Sequence, residues 1–279
     1  MRAKYINPFT DFGFKKLFGE EVNKDLLIDF LNQILPEKHH IKDLFYKKSE
    51  NLGSGETDRK AIFDIYCESE NGDKFIVEMQ KAKQNFFKDR SLFYATFPIR
   101  EQAEQGNWDF QLKAVYCVAI LDFVFDDHSL SPKFVHTIQL KDKDCTVFYD
   151  KLTLIFLEMP KFKKSETELE THFDKWLYFL KYLEKFETIP TKLRDRIFEK
   201  AFTIAEIARF NPEQIQQYED SLKYYRDLKN VIDTAVSEAK IEAKTELVIE
   251  IARQMKQAGE PTQKINQYTG LSQEQIEKL

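Results

Sequence analysis

The stretch FDIYCESENGDKFIVEMQKAK, residues 63–83, holds two apolar runs around the turn signal Asn71-Gly72 and predicts a hairpin. Each run carries a carboxylate where its neighbours point to burial: Asp64 in the first strand, Glu78 in the second. Register decides whether they meet, because a slip of one residue moves a side chain to the other face of a strand. A two-residue loop at Asn71-Gly72 turns Asp64 away from Glu78. A three-residue loop, Glu70-Asn71-Gly72, sets the two directly opposite, and Gly72 suits the left-handed bulge position which that loop requires.

Two carboxylates side by side in an apolar setting repel, unless one is protonated or a cation lies between them. A hard divalent ion, Mg²⁺ or Mn²⁺, is the simplest remedy and leaves room for water and phosphate oxygens. Gln80 shares the Glu78 face and reaches a water there; Lys81 points to the opposite face. Carboxylates, a divalent ion and an oriented water are the parts of phosphodiester hydrolysis. The bland alternative for such a hairpin is a solvated sheet edge, which Glu70 and Asp73 exemplify.

Outward from the hairpin, residues 8–34 predict two helices, the first capped by Thr10 and ending near Gly19, with Asp11, Phe14, Lys15 and Phe18 on one face. IKDLFYKKS (41–49) and RKAIFDIYCES (59–69) read as strands, NFFKDRSLFYATFPIREQAEQG as a helix interrupted or re-entered at Pro98 and ending at Gly106. LKAVYCVAILDFVF (112–125) carries a continuous apolar run bounded by polar residues, as in a strand covered on both faces, and KFVHTIQL, CTVFY and LTLIFLEMP add strands up to Pro160. The fold class is therefore α/β (α+β): a mixed sheet with helices packed on it, followed by an all-helical extension. From Pro212 a long helix runs to Gln257, its apolar residues 215, 218, 222, 225, 228, 232, 235 and 239 forming a narrow seam suited to homo-oligomer formation. The tail, with Gly259, Pro261 and Ser272 as punctuation, resembles a helix-turn-helix. Glu274 and Glu277 outweigh Lys278 there, so packing or dimer contact competes with base reading.

With 279 residues, 42% of them hydrophobic, the chain can bury a substantial core, and its net charge of −5 does not advertise nucleic-acid binding. Screening lets local clusters such as KKLF (15–18) and KAKQNFFKDR (81–90) act apart from that total. Cys67, Cys117 and Cys145 sit in apolar, strand-like contexts without CxxC spacing, which argues against a disulfide framework or a zinc site and fits a reducing compartment. No apolar run is long enough to span a membrane and no apolar leader follows the start, so a cytoplasmic protein is expected. His39, His40, His128, His136 and His172 show no ligand spacing and are assigned no chemistry; Trp108 and Trp176 read as structural.

Taken together, PFTDFGFKKLFG, FDIYC, FIVEMQ, the Arg90–Tyr94 segment, VAILDF and GLSQEQIEKL resemble, in order and over nearly the whole chain, the PD-(D/E)xK family transposases, also called Rpn-type recombination-promoting nucleases. The resemblance implies a restriction-endonuclease-like core over 1–160, a helical extension over 161–211 and a long helix with its tail over 212–279. It implies a Mg²⁺-dependent DNA endonuclease linked to recombination, with Asp64 and Glu78 as metal ligands and the Met79 carbonyl as a third. Gln80 stands where the superfamily carries Lys; it orients water but brings no charge. Asp11 matches the acidic residue of the family's first helix, although an acid that complements a helix N-terminus is the competing account. Lys15, Arg90 and Tyr94 are candidate substrate contacts, with a partly buried surface pair as the alternative for the last two. The loss of charge at position 80 motivates a rival function: a DNA-binding or oligomerising protein that keeps the fold without turnover.

Overall fold

The computed structural model describes residues 3–51, 61–103 and 109–279. In chain order the elements are α1 (Asp11–Phe18), α2 (Lys24–Asn32), β1 (Leu44–Tyr46), β2 (Glu50–Asn51), β3 (Ala61–Ile62), β4 (Ile65–Ser69), β5 (Lys74–Gln80), α3 (Phe87–Glu101), β6 (Val115–Leu121), β7 (Val135–Lys141), β8 (Val147–Glu158), α4 (His172–Tyr182), α5 (Arg196–Ala205), α6 (Pro212–Gln257), α7 (Thr262–Thr269) and α8 (Gln273–Glu277). The chain divides into two compact units, Met1–Tyr225 and Arg226–Leu279.

The first unit is built on a six-stranded mixed sheet in the order β1-β4-β5-β6-β8-β7. Its centre, β5, β6 and β8, is parallel, and the flanking pairs are antiparallel. Every residue of β5 and β6 is buried, as expected of strands covered on both faces. One face carries Ile65, Cys67, Phe75, Val77 and Met79 into the main core, where Phe14, Phe18, Phe30, Trp176, Phe198 and Phe202 from the helices close over it. The other face carries Tyr66, Ile76 and Cys117 against Ala95 and Phe97 of α3. Pro98 lies inside α3 without interrupting it; the expected helix end at Gly106, like Trp108, falls outside the described residues.

The hairpin adopts the three-residue loop. Ile65 pairs with Val77, Cys67 with Phe75, Ser69 N–H donates to Asp73 O, and Gly72 takes φ +87°. An alanine there would carry a Cβ into the unfavourable left-handed region.

Three local expectations are corrected. RKAIFDIYCES is not one strand: it bends at Phe63-Asp64, so that β3 pairs with β2 while β4 joins the main sheet. The VFY of CTVFY runs on through LTLIFLE as one continuous strand, β8, bulged against β7 near Leu140. Cys145 is not in a strand but at an exposed turn with φ +65°.

The seam of α6 is partly spent inside the first unit, where Ile215, Tyr218, Leu222 and Tyr225 join the main core. In the second unit Ala252 of α6 packs with Ile265 and Ile276, and Ser272 makes a capping box with Gln275 at the start of α8. No described helix is long and apolar enough to cross a membrane.

Candidate active site

The bend at Asp64 makes the site. The alternation along β5 sends the N–H and C=O groups of Phe75, Val77 and Met79 towards β4, and a ladder continued by one step would join Met79 to Phe63. Phe63 N–H instead donates to Ser49 O at 2.9 Å. Met79 N–H, left without its strand partner, donates to Asp64 Oδ2 at 2.7 Å, and Asp64 N–H donates to Glu78 Oε1 at 3.1 Å. Each carboxylate thus grips the backbone beside the other. By the same alternation Met79 C=O also faces the β4 side.

Glu78 is 8% exposed and lies on the α3 face, with Ile76 and Tyr94 among its neighbours. Gln80 shares this face, and its Nε2 donates to Glu78 Oε2 at 3.0 Å. Burial, and then the charge of Asp64, push the Glu78 carboxyl up to about 8. Burial also raises Asp64, with the charge of Asp11 adding to it, against the lowering effect of the Met79 N–H. Without a cation the pair holds a proton near neutral pH.

Asp64 opens the other way, into a cleft of about 580 Å³ that is also lined by Asp11, Lys15, Lys16, Tyr46 and Lys47. Thr10 caps α1 by accepting from Gly13 N–H at 3.0 Å, and so fixes the turn that presents Asp11 and Lys15. These two form an exposed pair at 3.0 Å. The structure therefore brings Asp11 and Lys15 to the Asp64 side and Gln80, Arg90 and Tyr94 to the Glu78 side.

Arg90 stacks its guanidinium against Phe87 and Tyr94, with 5.0 and 5.5 Å to the ring centroids, and donates from Nη1 to Gln84. Its Nε is buried with no hydrogen-bond partner among the described residues. Burial raises Tyr94 as it raises Glu78, and the charge of Arg90 opposes both rises. Lys81, the residue after β5, lies within electrostatic reach of Asp11 and Asp64 and places Nζ 5.4 Å from the Tyr224 ring centroid.

A family model for PD-(D/E)XK nuclease family transposases matches residues 8–235. The chain belongs to that family. No curated protein and no solved structure matches it. The six-stranded mixed sheet with flanking helices is the α+β arrangement expected of this nuclease fold.

The oxygens of Asp64 and Glu78, with Met79 C=O beside them, form a hard donor set that fits a divalent ion of the Mg²⁺ or Mn²⁺ type. The proton retained by the buried pair marks where positive charge is wanted. Sequence patterning missed one group. His128 and His136, assigned no chemistry above, converge on Glu158. They stand on a turn and a strand with no common period: the turn follows β6, whose Leu121 lies beside Glu158, and β7 pairs with β8, so two strand pairings bring them together.

Proposed function

We propose that this chain is a metal-dependent DNA endonuclease that hydrolyses phosphodiester bonds, with Asp64, Glu78 and the Met79 carbonyl holding Mg²⁺ or Mn²⁺. The observation that carries the proposal is the mutual bracing of the two carboxylates across a broken strand pair, at a place where their burial raises both. A bound divalent ion supplies a nucleophilic water at neutral pH and offsets charge on the scissile phosphate. The residues of the chain do the rest. Gln80, held on Glu78, orients the attacking water by hydrogen bonding. Arg90, with a buried and unpartnered Nε beside Tyr94, supplies the fixed positive charge that a lysine at position 80 would have given, and takes a phosphate oxygen. Asp11 and Lys15 border the cleft by which the backbone approaches Asp64.

The test is nicking of supercoiled plasmid by the purified chain with Mg²⁺ or Mn²⁺. Asp64→Ala abolishes nicking while circular dichroism and the melting transition stay native, and excess chelator abolishes it in the parent. Cutting that survives either treatment refutes the assignment. Because Gln80 is neutral, a second outcome has its own meaning: divalent-ion binding that depends on Glu78, with no cleavage, identifies a DNA-binding protein on a retired nuclease fold. Binding of the ion is read by calorimetry, separately from turnover.

A further inference from the structure

Away from the active site, Glu158 ends β8 wholly buried, and four donors face its carboxylate. Phe125 N–H donates to Oε1 at 2.9 Å, and Lys161 Nζ lies 2.6 Å from Oε2. His128 Nδ1 stands 3.1 Å from Oε1 and His136 Nε2 stands 3.2 Å from Oε2. The two imidazoles stack with centroids 4.0 Å apart and planes 19° apart. One donor atom from each of the three residues lies within 4.8 Å of the others. The row Gln80–Leu121–Glu158 across the parallel strands sets this cluster two strands, about 10 Å, from Gln80 on the same face of the sheet. That is too far to share an ion with Asp64 and Glu78, since paired catalytic metals stand about 3.5–4 Å apart.

Phe125 N–H and Lys161 already satisfy the charge of Glu158, so two further imidazole nitrogens aimed at the same carboxylate exceed what its burial requires. Tetrahedral ligands about 2.0–2.1 Å from zinc lie roughly 3.3 Å from one another, close to the two nitrogen–oxygen separations seen here. Lys161 need not leave: its Nζ also donates to His128 O at 2.7 Å and Lys133 O at 3.2 Å, so it can stay on Oε2 while Oε1 and the imidazoles turn to a metal. Phe125 N–H then orients the ligating carboxylate from outside. Two imidazoles and one carboxylate suit Zn²⁺, whereas Mg²⁺ prefers oxygen alone.

We propose that His128, His136 and Glu158 form a zinc site separate from the active site, with the fourth position open to water. Zinc there ties the turn Asp126–His128 to β7 and β8. That turn holds Lys83 through Asp126 and Lys88 through Asp127, the latter pair at 2.6 Å. Metal at this site therefore fixes the segment leading from β5 into α3.

The full chain, stripped of metal and held in excess Mg²⁺, is titrated with Co²⁺ and followed by the visible bands of tetrahedral cobalt. The expected result is one equivalent of Co²⁺, displaced by Zn²⁺ and retained in Asp64→Ala. His128→Gln and His136→Gln each weaken binding by roughly a hundredfold, since even partners outside the ligand shell are worth about 10–100-fold. Absence of the bands in the parent, their persistence in both histidine variants, or their loss in Asp64→Ala overturns the proposal. Should a histidine variant fail to fold, the parent protein decides: zinc must shield His128 and His136 from diethyl pyrocarbonate, read by mass spectrometry, and undiminished modification overturns the site.

Discussion

Glu78 carries a testable cost. Its carboxyl ionises near 4.5 in an unfolded chain but is pushed up to about 8 in the folded one, so the folded state holds a proton that the unfolded state gives up. The stability linked to this group is complete below about pH 4.5 and drains away as pH rises through about 8. Glu78→Gln keeps the shape and the acceptor oxygen but cannot ionise. In metal-free protein its melting temperature should exceed that of the parent at pH 9 and approach it at pH 5, with a difference at high pH on the order of 2–4 kcal/mol. Paired thermal melts across pH check this. Equal pH slopes would mean that the Glu78 carboxyl is not held protonated. On the proposal that the pair holds Mg²⁺, affinity for the ion should rise with pH over this range, because it would displace the proton that the pair retains.

Elements place these residues, and α1 depends on a close approach at its start. A Cβ on Gly13 would lie 2.2 Å from Asn7 O and 2.7 Å from Thr10 Oγ1, both part of the turn that caps the helix. That turn is anchored in the core, since Asn7 N–H donates to the Tyr218 hydroxyl at 2.9 Å. Gly13→Ala must push the backbone aside. It should cost about 1–3 kcal/mol in urea unfolding and displace Asp11 and Lys15 from the cleft, lowering nicking without touching Asp64 or Glu78. Unchanged stability would show that the turn yields freely. The same scale explains what the sequence discloses. The hairpin register was legible because Gly72 and the loop length are local signals, and the two-sided burial of β6 because its apolar run is unbroken. The break at Asp64 was hidden, since it arises when a side-chain carboxylate captures Met79 N–H in place of a strand neighbour, and no propensity records that. The meeting of His128 and His136 with Glu158 was hidden likewise, because it needs β7 to return alongside β8.

At the scale of the whole molecule, the proposed function asks a chain of net charge −5 to attract a polyanion. The cleft does not do so unaided: Lys15, Lys16 and Lys47 line it together with Asp11, Glu20 and Asp64, three cations against three anions. Each lysine is paired, with Asp11 at 3.0 Å, Glu20 at 2.9 Å and Glu68 at 3.0 Å respectively. On the proposed function a divalent ion tips this balance, within a Debye length of the phosphate it would serve. DNA affinity should therefore depend on the metal even where no bond is cut. With Ca²⁺ as a non-cleaving substitute, fluorescence anisotropy on a short duplex should give a log–log salt slope of about −2 to −3, as expected if some three lysines release counterions. Chelator should weaken binding by about tenfold or more. Asp64→Asn separates charge from catalysis: in chelator it removes one anion from the cleft and should bind DNA more tightly than the parent, while in Ca²⁺ the order reverses. If the variant binds no better in chelator, or if Ca²⁺ leaves the parent's affinity unchanged, the DNA path does not run through this cleft.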